Sequence, residues 1–547
     1  MNKKFLNLFF ALHLIFVALV LIGELPREFV LYETGLLILY FLFASTEDGL
    51  IFFVRSIPIF IAIPLTTNYD NLNQWRILAV ILFFKWLLTR ETWHYFSAWL
   101  ILLLRKPWTV IKEHPWVVLF KILVILGLLS LWQAPDKIEG LKRIIYFINA
   151  GLVGVIIAYP PKNKTFINRL IKNITIPIII VTLVGVVQVV ITYFIDIYQF
   201  MRIWGEGIQM REFGTMWSYI AVNVGNTWLA YFGDQLSLRV FSLFPDSHSF
   251  PIFLLLGLPA FFAWTLTKPL GKAAKLRDMI FTPLEVAPPR SEGLAPLARA
   301  RLLTGFTRGK VAVLWIPLIF LMMILSGTRG IWAGGITMIF WIILVLTYMN
   351  YIKINIERIN IFKYLSCYLV IFFMLFAVAY PIFSSPQFLV SKGDSLLLQQ
   401  RLKSLFDFGE TSNSQRIEIW KKSLVSISNN PILGVGIGNF PVVLGQNIQL
   451  SKAGSSAHNI YLQVASEIGI PALLTFLFLI WLVLKQIYNK FIETHEPIYQ
   501  AYFGGLLITF PWVLVYLMTD VAIFDERALL LCVITLAITA IPLNAHE

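Results

Sequence analysis

Apolar residues in this chain arrive in long unbroken runs. Ile174 to Ile195, Tyr364 to Phe383 and Ile460 to Leu484 are almost free of charge, and each is roughly the 20 residues that cross a ~30 Å hydrocarbon core at ~1.5 Å per residue. Reading every such run predicts about fourteen spans, 12–14 as the working range. They fall at 5–23, 28–45, 49–66, 76–93, 115–133, 143–159, 174–195, 249–267, 311–326, 330–349, 364–383, 459–484, 499–519 and 526–543. The first follows Lys3 and Lys4 like a signal peptide, but it is longer than an h-region and lacks a small-x-small cleavage site, so it reads as a retained span. One stretch breaks the pattern. From Ser414 to Ser428, Ile417, Trp420, Leu424 and Ile427 recur at helical spacing, predicting an amphipathic helix capped by Asn413 or Ser414 and stopped at Asn429, Asn430 and Pro431. Such a helix lies along the membrane surface or packs over the spans beneath it.

Composition agrees: 58% of residues are hydrophobic and 14% charged, with a mean hydropathy of +0.76. The chain is therefore expected to be an all-α polytopic membrane protein. Its formal charge of +14 is spread through short loops without aromatic interleaving, which argues against nucleic acid. Cys367 and Cys532 both sit in apolar runs, so no disulfide framework or zinc site is expected.

Charge also predicts sidedness, because Lys and Arg collect in cytoplasmic loops. With the N-terminus inside, the inner segments carry Arg105, Lys106 and Lys112, then Lys162, Lys164, Arg169 and Lys172, then Lys353, Arg358 and Lys363. The strongest vote is the basic Pro-, Ala- and Gly-rich stretch Lys268 to Lys310, suited to contact with anionic lipid headgroups. The chain then divides into N-terminal spans (1–195), an extracytoplasmic loop (196–248), central spans (249–383) with the basic loop 268–310 inside, a large extracytoplasmic loop (384–458) and C-terminal spans (459–547). Both termini are expected in the cytoplasm.

Four segments place chemically useful residues at the outer interface. In Leu325 to Gly335, Arg329 occupies a reversal between two apolar runs; its guanidinium suits phosphate oxygens, or it simply snorkels from a helix end, and the small residues around it leave room for a ligand. His458 opens a span beside Asn459 and Tyr461, and is either a general base for a hydroxyl nucleophile or a structural histidine. Glu467, deeper in the same span, reads as a packing residue. Gly434, Gly436 and Gly438 lack the strand-turn-helix context of a nucleotide loop; they present backbone N–H groups to an anion or make a tight turn. Arg416, with Trp420 one turn on, pairs with a phosphate or faces solvent. Arg239, Asp246 and His248 form a polar knot before a span, open to the same two readings.

In this order, the SGTRG reversal around Arg329, the R-x-x-x-W-x(13)-G-x-G-x-G-N-F pattern from Arg416 to Phe440 and the HNIYLQ-x(3)-E-x-G start at His458 resemble the bacterial O-antigen ligase and O-antigen polymerase family. The resemblance is strongest from Arg239 to Leu484. It implies a GT-C-like fold with a large extracytoplasmic loop carrying amphipathic helices, and an inverting, metal-independent glycosyltransferase of the plasma membrane without cofactors. Its implied partners are an undecaprenyl-pyrophosphate-linked glycan donor, a glycan, lipid or protein acceptor, and membrane lipids. Arg329, Arg239 and Arg416 would bind the pyrophosphate, and His458 would position or deprotonate the acceptor. An Asp and a His at 246 and 248, where the family more often has small or amide residues, make His248 a competitor for the role of base. The rival class is a secondary transporter or lipid-glycan flippase, for which Arg55 and Lys85, both inside predicted spans, are the best support.

Overall fold

The structure is a computed structural model that describes residues 3–65, 72–90, 92–94, 97, 105, 115–159, 164–223, 227–232, 235–265, 314–389, 411–446 and 455–541. The basic loop 268–310 and residues Lys106, Lys112 and Lys162 lie outside them. Among the described residues, seven helices are long and apolar enough to span a membrane, including Lys137–Ala158, Lys164–Ile191, Arg329–Tyr351 and Pro497–Tyr516; four shorter apolar helices accompany them, Ser249–Trp264 and Leu314–Leu325 among these. The chain is an all-α polytopic membrane protein, as its apolar runs predict.

Most spans fall where the runs place them, and two differ in kind. The segment expected at 49–66 is helical only over Thr46–Ser56, about 16 Å of rise and too short to cross. Pro58, with no N–H to continue the ladder, sits in the tight turn Ile57–Ile59 that follows, and the chain then runs extended. Such backbone is tolerated at depth only where protein satisfies it. Here Ile61 N donates to Gln74 Oε1 (3.1 Å), Ala62 N to Glu212 O (2.9 Å) and Ile63 N to Leu72 O (2.8 Å).

The span expected at 459–484 is two helices, Ile460–Ile468 and Ile470–Glu493, broken at Gly469. Gly469 has φ +95°, and a Cβ there would stand 2.1 Å from Ile432 O, so any other residue is excluded twice.

The helix Pro497–Tyr516 is the axis of the bundle. It packs most extensively on Ser249–Thr265, then on Arg329–Tyr351, Ile470–Glu493 and Ile356–Met374. Close approach needs small residues at the seam: Gly505 lies against Phe262 and Pro259. Behind this seam a buried pair, Arg527 with Glu212, joins the helix Glu526–Ala540 to the loop before the site; the guanidinium also lies over Phe213 (4.7 Å) and Phe244 (5.6 Å).

The segment 196–248 is more than helix. It contains an antiparallel hairpin, Leu229–Phe232 with Gln235–Leu238 in the register Leu229 to Leu238. Short strands of this kind have no apolar period long enough to stand out beside 20-residue spans. The helix expected over Ser414–Ser428 begins earlier, at Thr411, and runs to Asn429. It packs on Ile460–Ile468, with Leu424 and Val425 of its apolar residues exposed.

The two basic residues that favoured transport have local partners. Lys85 Nζ donates to Phe41 O and Leu42 O (both 2.8 Å) and to Ala44 O, closing the end of the helix Phe29–Phe43. Arg55 donates to Asn173 Oδ1 (2.7 Å) and Asn7 Oδ1 (2.8 Å).

Candidate functional site

The hairpin delivers Arg239. Its N–H donates to Trp228 O at 2.7 Å, prolonging the ladder by one rung, and its Nε donates to Ser326 O at 3.3 Å. Trp228 stacks on Phe241 with ring centroids 4.5 Å apart and donates from Nε1 to Pro245 O at 3.0 Å, which turns the chain sharply after Arg239. Asp246 then caps the next helix: its Oδ1 accepts from His248 N (2.8 Å) and Ser249 N (2.7 Å), and its Oδ2 from Ser249 Oγ (3.1 Å).

The SGTRG reversal is laced to this loop. Thr328 Oγ1 donates to Ser247 O at 2.9 Å, and Val240 N donates to Leu325 O at 3.1 Å. Arg329 is the first residue of the helix Arg329–Tyr351 and remains partly exposed. The small residues after it make room for protein: a Cβ on Gly330 would meet Thr519 and Tyr516, and one on Gly334 would meet the Trp512 ring.

His458 has φ +45°, an uncommon backbone for a residue with a Cβ, and its neighbours hold it there. Ala457 N donates to Gln463 Oε1 (2.7 Å), and Asn459 Oδ1 caps the short helix by accepting from Tyr461 N (3.0 Å) and Leu462 N (3.1 Å). Ile460 N donates to Leu517 O (2.9 Å) and Tyr461 Oη to Leu514 O (3.0 Å), tying the histidine to the end of the axial helix. Trp420 Nε1 donates to Ala457 O (3.0 Å), which brings the helix carrying Arg416 to the same place.

These ties converge on Asp520, a residue the sequence reading did not single out. His248 Nδ1 stands 3.0 Å from Asp520 Oδ2, and His458 Nδ1 stands 3.9 Å from the same oxygen. Tyr516 Oη lies 3.3 Å from His248 Nδ1, and Arg239 Nη2 lies 3.4 Å from His248 Nε2. Burial would raise the Asp520 pKa, but His248 and then His458, by charge and hydrogen bonding, hold it well below the usual carboxylate range. Burial lowers Arg239 to about 10; Tyr516 and Asp246 oppose that shift, while Arg329 and Arg416 add to it. The three arginines therefore share one electrostatic neighbourhood, and Arg239 stays cationic at neutral pH.

The glycine loop lies elsewhere. Gly434, Gly436 and Gly438 take φ of +63°, +96° and +76°. Their neighbourhood spends its amides inside the protein: Val435 N on Ser466 O (2.9 Å), Gly436 N on Glu467 O (2.9 Å) and Ile437 N on Ser130 Oγ (3.1 Å). Glu467 Oε1 accepts from Gln463 Nε2 (2.8 Å) and Phe440 N (3.3 Å), so it braces this turn. Of the two readings of the loop, the geometry matches the tight turn.

Residues 312–477, which hold Arg329, Arg416, the glycine loop and His458, match the family model described as O-antigen ligase. Over this stretch the chain is similar to O-antigen ligases. Arg239, His248, Tyr516 and Asp520 lie outside the matched residues and complete the site from either side of that stretch. No curated protein matches the chain.

Proposed function

We propose that this membrane protein transfers a glycan from an undecaprenyl-pyrophosphate-linked donor to an acceptor hydroxyl, with inversion and without a metal, at the outer face of a bacterial plasma membrane. The observation that carries the proposal is the meeting of two histidines on one buried carboxylate beside a cluster of three arginines.

Each part has a chemical task. Arg239, Arg329 and Arg416 neutralise the donor's pyrophosphate and take up the charge that grows on it as the anomeric C–O bond breaks. His458 is the base. Its Nδ1 is buried against Asp520 while the side chain keeps 34% exposure, which leaves Nε2 open to accept the acceptor's proton. Asp520, 3.9 Å from Nδ1, closes on the Nδ1–H as substrate binds and stabilises the imidazolium that forms, and the acceptor oxygen bonds to the anomeric carbon from the face opposite the leaving pyrophosphate. His248 has both ring nitrogens engaged, Nδ1 toward Asp520 and Nε2 toward Arg239, so it is a positioning residue that joins the anion-binding half of the site to the proton-accepting half.

The test is transfer by purified protein from a defined undecaprenyl-pyrophosphate-linked glycan. His458→Ala and Arg329→Ala each abolish product; wild-type turnover in both overturns the assignment. A cysteine-accessibility map places positions 329 and 458 on the same, outer face, and opposite faces would refute the sidedness.

A further inference from the structure

At the end of the bundle remote from Asp520 lies a cavity of about 580 Å³ that glycan transfer does not use. The helix Ser249–Thr265 starts beside His248, and Trp264 near its other end lines the cavity. The fifteen steps from Ser249 to Trp264 rise about 22 Å at ~1.5 Å each, so the cavity faces the opposite leaflet.

Three cations line it: Arg55, Arg169 and Lys172. Arg169 pairs with Asp48. The bonds from Arg55 to Asn173 and Asn7 go to neutral amides, which solvate its charge without cancelling it, and its guanidinium feels the repulsion of Arg169. Lys172 Nζ lies 5.4 Å over the Trp264 ring. Beside these donors Asn168 Oδ1 is buried with no hydrogen-bond partner among the described residues, a costly arrangement for an amide oxygen. The cavity thus offers cations that suit an anion and an acceptor that needs a donor. Its wall along Ile176 and Ile179 is apolar, and Trp264 and Trp315 are of the type that marks a headgroup level.

We propose that this cavity binds the headgroup of an anionic phospholipid of the phosphatidylglycerol type. The phosphodiester sits among Arg55, Arg169 and Lys172, a headgroup hydroxyl donates to Asn168 Oδ1, and the acyl chains follow the apolar wall. Basic pockets between spans are a recurrent way to hold anionic lipids. The site stands independently of the transfer reaction.

The experiment uses the full chain reconstituted in phosphatidylcholine bilayers with and without phosphatidylglycerol, read by thermal midpoint and by lipid retained in native mass spectrometry. Phosphatidylglycerol raises the midpoint and one molecule is retained per chain, whereas inorganic phosphate protects little. Lys172→Gln and Asn168→Leu each weaken retention about tenfold, roughly the effect of one lost polar contact, while a thermal midpoint in phosphatidylcholine alone equal to that of the wild type confirms that both fold. Undiminished retention in both variants overturns the site. Equal protection by inorganic phosphate would make it a free-anion site and overturn the lipid assignment.

Discussion

His458 faces Asp520 across 3.9 Å, slightly beyond hydrogen-bonding distance, whereas His248 is already in contact with the same oxygen at 3.0 Å. Catalytic hydrogen bonds often tighten only when substrate is bound. In the proposed mechanism the open position is that of the group that moves a proton, and the closed one that of the group that holds the scaffold.

Removing the proton acceptor or its orienting carboxylate should have similar effects. His458→Ala and Asp520→Asn are each expected to lower kcat by about 10²–10⁴-fold, the usual worth of a positioned acid or base. Asp520→Glu should recover part of the loss if the carboxylate acts through the histidine. The assay is single-turnover transfer with the lipid-linked donor saturating. Full activity in Asp520→Asn would remove the carboxylate from the mechanism.

His248→Gln should separate the two histidines. Its amide can bridge Arg239 and Asp520 only in part, so about a tenfold rise in KM for the donor is expected with a smaller change in kcat, in keeping with loss of one positioning contact. A kcat loss as large as that of His458→Ala, with the acidic limb of the pH profile unchanged in His458→Ala, would make His248 the base.

The pH dependence of stability follows from the sign of the Asp520 shift. Its pKa in the folded state lies well below the usual value, so the stabilisation from its ionised form is complete above the unfolded-state value of about 3.9 and is lost as pH falls through the lower folded value. The difference in thermal midpoint between wild type and Asp520→Asn should therefore still be present at about pH 5 and shrink only below about pH 4. A difference already lost at about pH 5 would show that Asp520 is not held ionised by the histidines.

Arg527 and Glu212 test the support behind the site. Both side chains are 1% exposed, so Arg527→Ala should destabilise the protein by about 3–5 kcal/mol by leaving a buried carboxylate unpaired, and the double change Arg527→Met with Glu212→Gln should recover much of that. Denaturation in mild detergent, followed by a probe of the axial helix, measures both.

How far the sequence foretold this arrangement depends on the kind of signal. Spans were legible because twenty apolar residues have few alternative fates, and Arg329 and His458 were legible because polar residues at span ends stand out. Asp520 did not stand out, since one carboxylate after a span resembles any loop acid. The signal lay in alternation: with the N-terminus inside, the turn from Asp520 to Asp525 falls on the predicted side of His458. The extended chain after Ser56 and the hairpin before Arg239 were hidden for a different reason. Both are satisfied by distant partners such as Gln74, Glu212 and Gln387, and no local pattern encodes those. The space expected around Arg329 was misjudged because Gly330 and Gly334 look the same in a sequence whether a ligand or a tryptophan fills the gap.

The axial helix Pro497–Tyr516 has consequences for biogenesis. Ribosomes deliver this protein from the N-terminus, so the arginines and His458 enter the membrane before the helix they surround and before the carboxylate it ends on. Until that helix arrives, Ser249–Thr265 and Arg329–Tyr351 lack their shared partner. The groups proposed to bind the anion and those proposed to accept the proton are then separate pieces, and a nascent chain is expected to be inert. If the proposed mechanism holds, activity would appear only with insertion of a late segment, coupling completion of the bundle to the start of transfer.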